Sequence, residues 1–578
     1  MTHRSSLLVA LAATLALAGC ERAAEPVADD AATAAPDTPV YAAADHAFQP
    51  AITPEDFAYM VEVLASDQFE GRAPGSPGGE KTVAFIKDQF ERIGLQPGFD
   101  GSWYQTVPMI ETTADESTVL TLQPAKGESR TLAFGDDMVI GTRTAQANVK
   151  VDDSELVFVG YGVNAPEQDW NDYAGLDVTG KTVVILVNDP GFHAADETLF
   201  DGNRMTYYGR WTYKFEEAAR QGAAAALIIH DTPGASYGWD VVRNSWSGAQ
   251  FDLRPTDDPE PRLPAQGWIT ADVATQLFSD AGMDLQAMYD AAGKRGFKAV
   301  PLDATVSFDL SSTISEKSSR NVVGILPGTE AAGEAVVYMA HWDHLGTHEG
   351  EGDQTYNGAV DNATGVAGIL EIAGAFAAQQ PAPRRSVVFV AVTLEESGLL
   401  GSKYYVAHPA VPMARTAAVI NLDAMSVNGP ARDMVVVGKG SSDLEDLLEA
   451  ATAPQQRTLV EESVPAAGYY FRSDHFNFAK AGVPALYAKG GDNLVDGGTE
   501  AGKAAGMDYT THRYHKPADE FSSDWNLGGI IQDLDALYAV GREVAASEAW
   551  PQWREGNPFR AAREASMAEA ADGAAPAQ

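Results

Sequence analysis

The sequence predicts an α/β protein, with a mostly parallel, helix-covered sheet and a separate β-rich module. Between residues 312 and 550, apolar runs of strand length alternate with helical periodicity, as in strands joined by covering helices. From residue 141 to 311 the texture changes to runs such as "ELVFVGYGV" and "KTVVILVNDP", broken by polar turns with Gly and Asp. A chain of 578 residues, 45% of them hydrophobic, is too long for one ordinary core and has ample material for two.

In chain order, Thr53-Pro54-Glu55-Asp56 reads as a helix start, with a capping hydroxyl, proline in the first turn and acids beside it. Phe57, Met60, Val61 and Leu64 continue at helical spacing. Val83, Ile86, Phe90 and Ile93 predict a second helix, stopped by Gly94. Between them, "GRAPGSPGGEKT" is set aside as a phosphate loop because Glu80 interrupts the required Gly-Lys-Thr. An amphipathic stretch over Tyr213–Gln221 leads into the buried strand "AAAALIIHD". Strands are then expected at Asn321–Leu326, Ala335–Ala340, Val387–Leu394, Ala417–Leu422 and Val483–Ala488. Helices are expected over 364–378 and 526–546, and residues 564–578 read as a disordered tail.

The single cysteine, Cys20, follows a positive Arg4 and the apolar run Leu7–Ala18. Its setting, "LAGC", resembles the lipobox of bacterial lipoproteins, in which the cysteine is acylated. Residues 1–19 are therefore expected to be a lipoprotein signal peptide and 20–48 the acylated cysteine with a flexible linker. The resemblance implies an exported protein, lipid-anchored to a bacterial membrane and facing the periplasm or cell exterior. With 40 basic against 81 acidic residues the net charge is −41, which repels phosphate backbones and argues against a nucleic-acid partner. One cysteine allows neither an intrachain disulfide nor a thiolate metal site.

Open α/β sheets bind ligands beyond the carboxyl ends of their strands. At those positions lie His341-Trp342-Asp343-His344, then Asp361-Asn362 ahead of a helix, Glu395-Glu396, and Asp423. Taken singly, Asp361 reads as a helix cap and the Glu pair as surface. Four consecutive strand exits bearing acid or imidazole are tolerable in one crevice only around cations. Oxygen and nitrogen ligands without sulfur suit zinc, with manganese or cobalt as possible substitutes. A pair of divalent ions about 3.5–4 Å apart is a common hydrolytic arrangement, and it leaves one carboxylate free as a base.

The motifs "AHWDHLG", "AVDNATGVAG", "TLEESGLLGS", "NLDAMS", "YYFRSDHFNFAKAGVPAL" and "YHKPADE" resemble, in order, those of the co-catalytic di-zinc aminopeptidases, metallopeptidase family 28. The resemblance implies a three-layer αβα zinc-exopeptidase domain over 49–140 and 312–563. Residues 141–311 resemble a protease-associated domain inserted into it, expected to roof the cleft. The implied ligands are Asp361 as the bridge, His341 and Asp423 for one zinc, and Glu396 and His515 for the other. Of the histidines in "THRYHKPADE", His515 has the family's spacing to Asp519, and His512 is left outside the set. Glu395 is the implied general base, Tyr470 the oxyanion donor, and Asp343 the partner orienting His341. In the family the bond corresponding to Asp361–Asn362 is commonly cis. His344, His348 and His475 receive no ligand role.

Two other motifs compete. "GASYG" (Gly234–Gly238) matches a nucleophile elbow, but no convincing helical pattern follows it. "HEGEG" lacks the second histidine of a helical zinc motif. The expected function is removal of N-terminal residues from peptide substrates. The alternatives are a carboxypeptidase, a glutaminyl cyclase, or a non-catalytic peptide-binding relative.

Overall fold

Four strands, Arg385–Val392, Ala331–His341, Thr416–Asn421 and Ala485–Gly490, lie side by side in that order and all run parallel. Antiparallel neighbours flank them: Val300–Leu326 beside Arg385–Val392, and Asp433–Val436 beside Ala485–Gly490. The structure, a computed structural model, describes Tyr41 and residues 46–573, apart from Ala195, Glu197 and Pro259. Cys20, the expected signal peptide and most of the expected linker lie outside the described residues.

The central strands are apolar almost throughout because helices cover both faces; Arg385–Val392 is buried at every position. Alternation along a strand divides its side chains between two cores. Val336, Tyr338 and Ala340 pack with Phe57, Phe85, Ile369 and Leu534. Val337 and Met339 pack with Val390, Tyr405, Phe478 and Trp553 on the opposite face. The result is the mostly parallel, helix-covered sheet expected from the alternating pattern, in the three layers that the resemblance implies. Helix Pro54–Leu64 begins as predicted, with Thr53 Oγ1 accepting from the Asp56 amide at 3.2 Å. Helix Pro77–Ile93 ends at Gly94, whose φ of 90° needs a residue without a side chain.

Residues 120–310 build two further cores of their own. This module is less purely β than expected: Thr182–Leu186, Ala225–Ile229 and Ala265–Ile269 are parallel and accompanied by helices such as Trp211–Arg220 and Ala271–Asp280. It also starts before residue 141, since Leu120, Leu122 and Leu132 belong to its core. The cause is strand Val119–Pro124, which pairs with Ala304–Ser307. Those residues belong to the 27-residue strand Val300–Leu326, whose later part pairs with Tyr104–Ala114 and Arg385–Val392. One strand therefore serves both modules.

The expected disordered tail is corrected. Residues Arg560–Gly573 are helical, with Phe559 and Arg563 buried at the helix start. The Arg563 guanidinium donates to the Thr416 carbonyl at 3.0 Å, docking the helix where a central strand begins. Residues 574–578 are outside the described set.

Arg385 ties the sheet to the end of helix Gly528–Ala546. Its fully buried guanidinium donates to the carbonyls of Val544, Glu548 and Ala549 and to Glu334. Arg385→Leu should cost about 3–5 kcal/mol, because removing one member of a buried charged network strands the others. The check is the urea midpoint followed by tryptophan fluorescence, since Trp550 lies under this guanidinium. An unchanged midpoint would refute the tie.

Candidate metal centre

His341 is the last residue of its strand; Glu395 and Glu396 follow Arg385–Val392, and Asp423 follows Thr416–Asn421. All four therefore emerge at the carboxyl edge of the parallel strands. Asp361 joins them from the turn before helix Thr364–Ala378, and its peptide to Asn362 is cis. His515 arrives from the residues after helix Gly498–His512.

Asp361 stands between two groups. Its Oδ1 is 3.3 Å from His341 Nε2, which is also 3.5 Å from Asp423 Oδ1. Its Oδ2 is 3.2 Å from His515 Nε2, which is also 3.1 Å from Glu396 Oε2. Both Nε2 atoms are buried without a hydrogen-bond partner, so their contacts with the carboxylates are close but not directed. Ligand atoms of His341, Asp361 and Asp423 lie within 4.8 Å of one another. Two imidazoles and three carboxylates arranged this way are the oxygen–nitrogen donor set that zinc accepts.

Other side chains hold these donors in place. Asn362 donates to the Leu422 carbonyl at 3.0 Å and accepts from the amides of Gly365 and Ala424, joining a strand exit to a helix start. The Asp519 carboxylate accepts from the amides of Val360 and Asp361, each at 3.1 Å, and so fixes the backbone of the shared acid. Ser473 Oγ donates to Asp423 Oδ2 at 2.5 Å. From far away in the chain, the buried Arg72 donates to the carbonyls of Trp342, Asn357 and Gly358, clamping the segments that carry His341 and Asp361.

The electrostatics explain why a cation belongs here. Burial opposes charge on His341, yet Glu395, Asp361 and Asp423 outweigh it and hold the imidazole's pKa well above its ordinary value. Burial likewise opposes charge on His515, but Glu396 and Asp361 raise it to about 10. Burial pushes the Glu395 carboxyl well up, against His341 and with help from Glu396, Asp423 and Asp474. So many acids in one crevice recruit positive charge, and a divalent ion supplies it without protonating the imidazoles.

The structure brings His341, Asp361, Glu395, Glu396, Asp423 and His515 together. His512 is exposed and pairs with Asp508 instead. Two expected contacts differ. The group within hydrogen-bond reach of His341 Nδ1 is the Asp343 carbonyl at 3.2 Å; the Asp343 carboxylate is 3.9 Å away and accepts from the Glu395 amide. Tyr470 packs edge-on against His475, its buried hydroxyl has no hydrogen-bond partner, and the acid that bears on it is Glu445. Tyr514, stacked on His515 at 4.0 Å, and Tyr487, whose hydroxyl donates to the Asp423 carbonyl, are the tyrosines beside the acids.

His344, given no ligand role in the sequence, lies 2.7 Å from Glu396 Oε1 through Nδ1 and orients that carboxylate. Its ligand atoms cluster with those of Asp361 and Glu396 within 4.8 Å. Its signal was its place three residues after His341 at the same strand exit. The "GASYG" motif is also corrected in part: helix Trp239–Trp246 does follow it, and Ser236 adopts a φ of 67°. Among the described residues no histidine is hydrogen-bonded to Ser236: His193 has both nitrogens engaged, with Tyr161 and Asp231, and His230 Nε2 meets the Tyr237 carbonyl.

Residues 321–539 match the family model described as "Peptidase family M28". This stretch is similar to the peptidases of that family. It contains all six converging residues. Among curated proteins, a vacuolar membrane protease of Clavispora lusitaniae is 25% identical over 204 residues, 35% of this chain and 18% of its own length. A probable zinc metalloprotease of Pyrenophora teres f. teres is 35% identical over 112 residues, 19% of this chain and 23% of its own length. The chain thus spans less than a quarter of these two relatives. Among solved structures, an aminopeptidase from Aneurinibacillus sp. strain AM-1 shares 21% identity, with 86% of this chain and 95% of that chain covered and a TM-score of 0.48. A glutaminyl cyclase of Bacteroides thetaiotaomicron shares 18% identity, with 41% and 80% covered and a TM-score of 0.28.

Asp519 reaches the candidate metal donors through the backbone amides of Val360 and Asp361. Asp519→Asn should therefore weaken zinc retention roughly 10–100-fold, the usual effect of losing a group that supports a ligand. Equilibrium dialysis in a zinc buffer would show this, and undiminished affinity would remove Asp519 from the centre.

Proposed function

We propose that the chain is an aminopeptidase that holds two zinc ions. The observation that carries this is the shared carboxylate of Asp361, with one oxygen turned to each imidazole group. His341, Asp423 and Asp361 Oδ1 would hold one ion, and Glu396, His515 and Asp361 Oδ2 the other. Bound there, zinc would polarise the scissile carbonyl and make water nucleophilic at neutral pH.

Glu395 is the acid left over. It takes the proton of the attacking water and passes it to the departing amine, and the raised proton affinity that burial confers suits both steps. The Asp343 carboxylate accepts from the Glu395 amide and so fixes the backbone of that residue. The second module supports an exopeptidase cleft: Met205 donates to the Pro465 carbonyl, and Arg204 pairs with Glu462. We take that module to be the protease-associated domain and Cys20 to be the acylated anchor of an exported lipoprotein.

With peptides matched except for acetylation, the zinc-supplemented protein should cleave only those with free amino termini. Cleavage of both sets would move the assignment to carboxypeptidase or endopeptidase chemistry. Glu395→Ala should lower turnover by roughly 10²–10⁴-fold with zinc content unchanged. Cys20→Ser should release the expressed protein from the membrane fraction; a variant that still sediments there would rule out the anchor.

A further inference from the structure

The two acids that each face a single imidazole divide their oxygens. Asp423 turns Oδ1 to His341 Nε2 at 3.5 Å, while its Oδ2 accepts from Ser473. Glu396 turns Oε2 to His515 Nε2 at 3.1 Å, while its Oε1 lies 2.7 Å from His344 Nδ1. The distances separate two kinds of contact. Donors about 2.0–2.2 Å from one ion, at a near-tetrahedral angle, lie about 3.3–3.6 Å apart. The contacts of His341 and His515 with the carboxylates run from 3.1 to 3.5 Å, close to that spacing, and neither Nε2 has a hydrogen-bond partner. At 2.7 Å, Glu396 and His344 are too close to share an ion; this is the length of a hydrogen bond from an N–H to a carboxylate.

The surroundings of His344 suit that single bond. The ring is buried and its Nε2 has no partner, so its directed contact runs through Nδ1 to Glu396. Its backbone amide donates to the carbonyl of Arg72, the same residue that clamps Trp342 and Gly358. The ring lies against Gly358, where a Cβ would come within 2.6 Å of its Cγ, and stands edge-on to the His515 ring at 5.6 Å. One strand exit thus carries three tasks. His341 faces the shared acid, Asp343 holds the Glu395 amide, and His344 holds the second oxygen of Glu396.

We propose that His344 is a positioning residue whose bond to Oε1 confines Glu396 to one oxygen on the ion it shares with His515 and Asp361, and so keeps a place on that ion for substrate. A carboxylate released from such a bond can turn both oxygens to a cation. A catalytic zinc site with three protein donors needs its remaining place free. The inference rests on the two-ion part of the proposed function, not on which end of a peptide is cut.

The test loads the full chain with cobalt in place of zinc and compares metal content, visible absorption and peptide turnover. The absorption weakens as more donors surround the ion. His344→Phe and His344→Leu, one keeping a ring and one not, should each retain their cobalt and absorb more weakly, with turnover down roughly 10–100-fold. His344→Asn, whose amide can donate from near the place of Nδ1, should recover both the spectrum and the turnover. Loss of cobalt from the Phe and Leu variants would overturn the proposal by making His344 a ligand. An unchanged spectrum in either folded variant would also overturn it, as the sign of a ring that only packs.

The same measurements separate this proposal from the reading it rests on. Failure of the unaltered chain to take up a second ion would overturn both. Two ions with a spectrum indifferent to His344 would overturn the proposal alone. The expected spectra with no turnover of any peptide would leave His344 its role and remove the aminopeptidase.

Discussion

Everything at the carboxyl edge of the sheet depends on a repulsion that the fold creates and does not itself relieve. Asp361, Glu395, Glu396 and Asp423 converge where the parallel strands end, with Asp343 and Asp474 buried close by. Acids that would be unremarkable on a surface become costly when drawn from water into a shared crevice. The strands bring them there because Arg385–Val392 and its neighbours are covered on both faces and can end nowhere else. Asp361 makes the arrangement workable by facing both imidazole groups with a single carboxylate. The surrounding hydrogen bonds from Asn362, Asp519 and Ser473 hold it in one geometry.

Much of this could be read in the sequence, because strand exits are local. An apolar run followed by an acid or imidazole is visible without any knowledge of neighbours, and three such runs pointed to His341, Glu395, Glu396 and Asp423, while Asp361 stood out by its place ahead of a helix. His515 was separable from His512 by its spacing to Asp519, and the structure supplies the physical counterpart: Asp519 grips the backbone of Asp361 while His512 faces solvent. Other features were illegible for a common reason. Arg72 lies 270 residues before Trp342, and no local pattern joins them. The direction of the Tyr470 hydroxyl depends on what surrounds it in space, and Glu445 approaches from a different segment. The terminal helix looked polar and frayed because one arginine and one phenylalanine, rather than a hydrophobic stripe, attach it.

The two modules divide the chemistry unevenly. The stretch that matches the peptidase-family model carries the candidate metal donors and Glu395. The second module contributes none of these among the described residues, but it touches that stretch through Arg204 and Met205, in a short segment ahead of helix Trp211–Arg220.

The strand Val300–Leu326 gives that division a mechanical limit. Its early residues are stitched into the second module and its later ones into the sheet that bears the candidate centre, with no linker between them. A module on a flexible tether can swing, be clipped off by a protease, or be transplanted to another host protein. This one shares a structural beam with its neighbour, and excising it would mean sawing through hydrogen-bonded backbone. Any opening and shutting of the cleft must come from bending that beam or from the loops around it.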